Sequence, residues 1–178
     1  MRKSIVAALV VSATAGFGFA AGAADLDVSA LDPAVLKYVL PDKITWQVTP
    51  GLDTAFLYGN PSQPGFYVLM FKWKPGNSSH PHYHSTDRHV VVMSGTWWVG
   101  TGTEWDPEKN TAPVKPGTYA THFARQVHYD GSRKGDPEPA VELVWGMGPV
   151  VTVVCDGPNA EKGPGPCADA KAAGARAK

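Results

Sequence analysis

The chain has 178 residues, 43% of them hydrophobic and 10% aromatic, which is enough for one packed domain and too apolar for a disordered chain. Sixteen basic and sixteen acidic residues balance, and no basic run interleaves with aromatics, so nothing favours a nucleic-acid partner. The two cysteines have no zinc-finger spacing, and no nucleotide-binding loop or serine or cysteine nucleophile constellation is present.

Arg2 and Lys3 precede an apolar, small-residue stretch from Ile5 to Ala21, and Ala21-Gly22-Ala23 is an A-x-A cleavage pattern. This is the order of a secretory signal peptide over residues 1–23, and it predicts a periplasmic or secreted protein. The strongly apolar part is short and rich in Ala and Gly, which weighs against a membrane anchor. No other stretch approaches the roughly 20 apolar residues of a spanning helix. Cleavage removes two basic residues and no acidic one, leaving a mature chain with no anchor and two acidic residues in excess.

Residues 24–43 form a lead-in. In it, "LDPAVLKYVL" predicts one short N-terminal helix with Asp32 as N-cap and Pro33 at the first helical position. From Ile44 the character is β. "FYVLMFKWK" (66–74), "HVVVMSGTWWVG" (89–100) and "AVELVWGMGPVVTVV" (140–154) are rich in Val, Tyr, Phe and Trp, with turn clusters such as "GNPSQPG" and "SRKGDPEP" between strands. Many short strands with Gly/Pro punctuation predict an all-β sandwich or barrel over 44–154. Residues 155–178 read as a C-terminal tail with nothing to bury, mobile beyond Cys167. Cys155 and Cys167 bracket a turn-rich loop there, and export would permit a disulfide between them.

All six histidines fall between residues 80 and 128. In "HPHYH" (80–84), an extended backbone puts His80, His82 and His84 on one face. Gly76 lies six residues before His82, Gly95 eleven after His84, and Gly117 eleven before His128. These spacings resemble the two motifs of the cupin superfamily, G-X5-H-X-H-X3/4-E-X6-G and G-X5-P-X-G-X2-H-X3-N. Phe123 and Arg125 stand where the second motif often has Pro and Gly. The motif region covers residues 76 to about 132, and "HYHSTDRHVVVMSGTWWVGTG" is similar to small single-domain bacterial cupins. The resemblance implies a single cupin-type β-barrel or jelly roll.

It also implies one divalent transition-metal ion (Fe, Mn, Zn, Ni or Cu) held by His82, His84 and His128, with open positions for a ligand. The activity implied is that of an oxygenase, lyase or isomerase on a small molecule. A non-catalytic metal- or ligand-binding role and a homodimer both stay open. The departure is the motif glutamate. Counting back from Gly95 lands on Arg88, and counting four on from His84 lands on His89, so no carboxylate is supplied. An arginine cannot be a ligand. Three arrangements remain open. Arg88 faces the pocket and pairs an anionic group such as a carboxylate; or His89 or His122 is a fourth nitrogen ligand; or Arg88 faces out beside Asp87 and the site is vestigial. His122 and Arg88 are the candidate catalytic residues, His122 as a proton carrier. His80 is either a rim residue or an exposed strand start. Tyr83, Tyr119 and Tyr129 are candidate hydrogen-bond donors near the pocket, and Trp73, Trp97, Trp98 and Trp145 are expected to fill the barrel core or mouth.

Overall fold

The computed structural model describes residues 28–176. The signal peptide expected over residues 1–23 lies outside the described residues. Two units are distinguished, one ending at Tyr38 and one beginning at Val39. In the first, Val28–Ala30 is a 3-10 turn, and Asp32 caps the next residues as expected. Its Oδ1 accepts from Ala34 N at 2.9 Å, and its carbonyl accepts from Leu36 N at 3.0 Å. The expected N-terminal helix stops after that single turn. A short helix draws most of its stability from packing an apolar face, and Val35, Leu36 and Tyr38 are exposed. A separate 3-10 turn begins at Pro41 (Pro41–Lys43), with the preceding Leu40 extended at φ −70°, ψ 152°.

Eleven strands follow: β1 (Leu52–Tyr58), β2 (Gly65–Trp73), β3 (Asn77–Ser78), β4 (His82–His84), β5 (Arg88–Ser94) and β6 (Trp97–Thr101), then β7 (Ala112–Val114), β8 (Tyr119–His122), β9 (His128–Ser132), β10 (Ala140–Gly148) and β11 (Thr152–Val154). They form two antiparallel sheets. One has the order β1-β2-β10-β5-β8; the other runs β11-β4-β9-β6-β7, with β3 also paired to β9. Two apolar runs that read as single strands each divide between the sheets. Residues 89–100 turn at Gly95 (φ 72°), so that β5 and β6 lie in opposite layers, and residues 140–154 change layer after Gly148, where β10 gives way to β11. Between the layers, Tyr67, Leu69, Val90, Val92, Trp97 and Val144 form the buried core.

The C-terminal segment is not the loose tail that its composition predicts. Cys155 and Cys167 are disulfide-bonded, with Cα atoms 5.2 Å apart. Pro166–Arg176 is a helix, α1, and it is the one α-helix among the described residues. Cys167 and Ala170 pack against Tyr83, Val127 and Val153. Glu161 ties the start of the helix to the sheet, because its carboxylate accepts both Tyr83 Oη at 2.7 Å and Cys167 N at 3.1 Å. The Gly- and Pro-rich composition hides this element because its anchors are one disulfide and one carboxylate, with no apolar stripe.

Candidate metal centre

Period-two alternation on β4 turns His82 and His84 inward and sends Tyr83 to the outer face, against α1. On β9, His128 sits directly across from His82. In the facing sheet, Arg88 on β5 sits directly across from His122 on β8. Two cross-strand pairs from opposite layers therefore converge. Ligand nitrogens of His82, His84 and His128 lie within 4.8 Å of one another, and all three residues are buried.

Backbone and hydroxyl partners set the tautomers. A carbonyl can only accept, so His82 Nδ1 donates to His80 O at 2.7 Å and His128 Nδ1 donates to Gln126 O at 3.0 Å. His84 Nδ1 meets Thr152 Oγ1 at 3.0 Å. A guanidinium can only donate, so Arg88 Nη1 gives its proton to His84 Nε2 at 2.9 Å, which leaves Nδ1 as the protonated nitrogen of His84. Burial lowers the pKa of His84 and of His128, the latter to about 3, so both rings are neutral at physiological pH. The result is three inward Nε2 lone pairs. That of His128 is buried with no partner, and those of His82 and His84 face each other across 3.2 Å. The spacing lies within the roughly 2.9–3.4 Å that two bonds of about 2.0–2.1 Å to a shared ion would span. The donor set thus fits a borderline divalent transition metal.

The remaining sequence candidates divide clearly. Arg88 is inward, 9% exposed, and lies over the Phe71 ring at 5.3 Å as well as against His84. His122 lies against His128 with ring centroids 3.8 Å apart and the planes tilted by 35°, and its Nε2 has no partner. Burial lowers its pKa to about 4. His89, one residue on from Arg88, points out of the barrel, where it bonds Tyr119 Oη at 2.8 Å and stacks on Trp145; the alternation of β5 rules it out as a fourth ligand. His80 is at the cavity mouth, stacked on Trp105 and paired with Asp156 at 2.8 Å. None of Tyr83, Tyr119 or Tyr129 lines the cavity; Tyr129 is fully buried elsewhere, bonded to the carbonyls of Glu104 and Asn110. Trp73 and Trp97 are buried in the core, whereas Trp98 lies under Arg133 (3.7 Å) and Trp145 is on the outer face.

Two carboxylates escaped sequence reasoning. Asp130 follows His128 by two residues and shares its inward face. It accepts Ser79 Oγ at 2.7 Å and Trp97 Nε1 at 3.2 Å. Burial opposes its ionisation, but the neighbouring imidazoles and Ser79 hold its pKa below the usual carboxylate value. The negative charge missing from the motif position on β5 is therefore present on β9, in the opposite sheet. Glu142, on β10, is 1% exposed and lines the same cavity as Arg88, His82 and His84. Burial, reinforced by Asp130, raises its pKa well above 4.5. Between pH 4.5 and that raised value the fold holds a proton that the unfolded chain has released, so Glu142 makes stability fall as pH rises. The variant Glu142→Gln should therefore gain on wild type as pH rises from 4.5 to 8, as read from the difference between their urea-unfolding free energies. A difference that stays flat over that range would place an ionised carboxylate at this position.

No protein-family model matches the sequence, and neither does any curated protein. Solved structures do match. The polyketide cyclase RemF from Streptomyces resistomycificus aligns over 74% of this chain and 90% of its own, with 18% identity and a TM-score of 0.52. A sugar phosphate isomerase of the cupin superfamily from Silicibacter pomeroyi DSS-3 aligns over 68% and 83%, with 22% identity and a TM-score of 0.51. A protein of unknown function with a cupin-like fold from Ralstonia eutropha JMP134 aligns over 66% and 75%, with 20% identity and a TM-score of 0.53. The chain therefore has the cupin fold. Within that fold, its site sets three buried histidines beside Arg88 of β5, Glu142 of β10 and Asp130, which shares β9 with His128.

Proposed function

We propose that the protein is an exported, metal-binding cupin that acts as an enzyme on a small organic anion, in the oxygenase, lyase or isomerase class. The observation that carries this reading is the convergence of the buried nitrogens of His82, His84 and His128 at the edge of a cavity of about 250 Å³ that His82 and His84 line. A divalent transition metal held by His82, His84 and His128 would supply Lewis acidity and open positions for a ligand oxygen. The chain's own residues do the rest. Arg88 binds the anionic group, since its guanidinium keeps its charge and is held against Phe71. His122, neutral and with an unpartnered Nε2 at the cavity wall, accepts the proton to be moved. Leu52, Val90 and Val144 keep the cavity dry around the carbon skeleton. The fold hosts a polyketide cyclase and a sugar phosphate isomerase among its solved members, which supports an enzymatic role.

Elemental analysis of the untagged protein tests the metal; one transition-metal ion per chain is expected, and none after metal supplementation would overturn the reading. N-terminal sequencing of protein from its host tests export, with Ala24 expected as the first residue; an intact Met1 would refute it. For the anion, Arg88→Ala should weaken binding of small carboxylates roughly tenfold or more and leave their amides nearly unchanged, because charge-assisted hydrogen bonds are worth about 1.5–3 kcal/mol. Equal losses for acids and amides would remove Arg88 from recognition.

A second reading, non-catalytic binding of a metal or small ligand, has one observation in its favour. Arg88 already occupies the His84 lone pair, so one of the three metal-facing nitrogens is held by a protein side chain.

A further inference from the structure

The inner wall formed by β2, β10 and β5 carries an unusual concentration of buried polar atoms without partners. They are Tyr67 Oη, Trp73 Nε1, Arg88 Nε and Glu142 Oε1. Trp73 approaches the Glu142 carboxyl, and Tyr67 approaches Arg88, but neither pair makes a well-formed hydrogen bond. Arg88 and Glu142 do not pair within 4.0 Å either, although both line the cavity. An unmade buried hydrogen bond is expensive, and native structures rarely leave several side by side. Three of the four residues, Trp73, Arg88 and Glu142, line the cavity, and they mark a place where a polar ligand completes the set.

The register shows how the wall is built. Gly146 on β10 lies between Arg88 on one neighbouring strand and Tyr67 on the other. A Cβ at residue 146 would come within 3.0 Å of Tyr67 Oη, so the absent side chain is what lets the phenol lie beside the guanidinium. Glu142 is four residues away along the same strand and faces the same side. Arg88 and Trp73 present donors to the cavity, and Glu142 presents a carboxyl able to bond a hydroxyl or a carbonyl oxygen. Apolar Phe71 and Val144 lie between these groups. The cavity volume is below the range of about 300–1,000 Å³ that holds drug-sized ligands, so the occupant is short.

We propose that this wall recognises a short-chain hydroxy- or oxo-carboxylic acid, with Arg88 taking the carboxylate and Glu142 taking the second oxygen. The proposal rests on the reading of Arg88 as the anion-binding residue and makes Glu142 the specificity-determining one.

Titration calorimetry with propionate, lactate, 3-hydroxypropionate and pyruvate is the test, on protein stripped with chelator and on protein loaded with Zn²⁺. In both forms, wild type should bind at least one of the three oxygenated acids roughly tenfold or more tighter than propionate. Glu142→Leu should lose that preference while its affinity for propionate stays within about twofold, and Glu142→Gln, which keeps a hydrogen-bonding amide, should retain most of the preference. Matching thermal melts show that the variants are folded, and the wild-type preference stands as a readout even if Glu142→Leu does not fold. Binding of none of the acids, no preference in wild type, or a preference that survives in Glu142→Leu overturns the proposal. The two forms separate the claims. A Glu142-dependent preference in stripped protein that fails to take up Zn²⁺ sustains this inference and defeats the metal reading; Zn²⁺ uptake with no such preference does the reverse.

Discussion

Alanine at both His82 and His84 is expected to abolish measurable binding of divalent transition metal, while methionine at Arg88 is expected to strengthen it. Losing a residue that only orients a metal ligand costs about 10–100-fold in affinity, and removing two ligand nitrogens of three should exceed that. The double variant should remain folded, because the buried cluster between the sheets is apolar and contains no histidine. Arg88 acts in the opposite sense. Its Nη1 occupies the His84 Nε2 lone pair that an ion would need, and its charge repels a cation. A hydrogen bond involving a charged group contributes about 1.5–3 kcal/mol, so freeing His84 should raise affinity roughly tenfold or more in buffer free of small carboxylates. Calorimetry with Zn²⁺ and Co²⁺ reads both arms. Full metal occupancy in the double variant would show that the ligands lie elsewhere, and unchanged or weaker binding in Arg88→Met would show that the guanidinium does not compete.

The second large effect concerns the motif glycines, which are not equivalent. Gly76, Gly95 and Gly117 all have positive φ, at 80°, 72° and 85°. For any residue with a Cβ this left-handed backbone costs about 1–2 kcal/mol. At Gly117 nothing lies within 4 Å of where a Cβ would stand, and at Gly76 the nearest atoms are at an ordinary 3.7 Å. At Gly95, however, a Cβ would be 2.3 Å from the carbonyl oxygen of Pro139 and 2.9 Å from Ala140 Cα, both backbone atoms that cannot step aside alone. Gly95→Ala must therefore push β10 away from the β5–β6 turn. It is expected to cost about 4 kcal/mol or more, adding overpacking to the backbone term, against about 1–2 for Gly117→Ala. Urea unfolding of the three variants measures this. Equal losses at Gly95 and Gly117 would mean that only backbone conformation matters at these turns.

The sequence carried much of the site because its signals are local. Alternation in "HPHYH" places His82 and His84 on one face from two residues' separation alone, and the glycine spacings placed His128 in the same motif pair. The β character of residues 44–154 was equally legible, since β-branched and aromatic runs punctuated by turns need no partner to be recognised. The N-terminal lead-in failed for the complementary reason. Asp32 caps as a local rule requires, but whether a helix continues depends on a surface to bury its apolar face, and that is not a local property. The C-terminal helix went unread because a disulfide and the Glu161 carboxylate anchor it, across separations of 12 and 6 residues that composition does not register.

What only the tertiary structure decided is which face of each strand is inside and what lies across from it. Arg88 and His89 are neighbours in sequence, and either could have turned inward; the pairing of Arg88 with His122 and Gly146 settles that the arginine does. Glu142 sits in "AVELVW", where Val141, Leu143 and Trp145 on the outer face are as apolar as Ala140 and Val144 on the inner one. With both faces apolar, alternation cannot say that the glutamate is the buried one. Asp130 was within reach of the sequence, two residues after His128 on the same face, but the charge it supplies matters only because β4 and β9 adjoin. Local chemistry thus named the three histidines, and strand pairing between residues up to about sixty apart assembled the arginine and the two acids around them, because a sheet brings together positions whose separation along the chain carries no information about their neighbours.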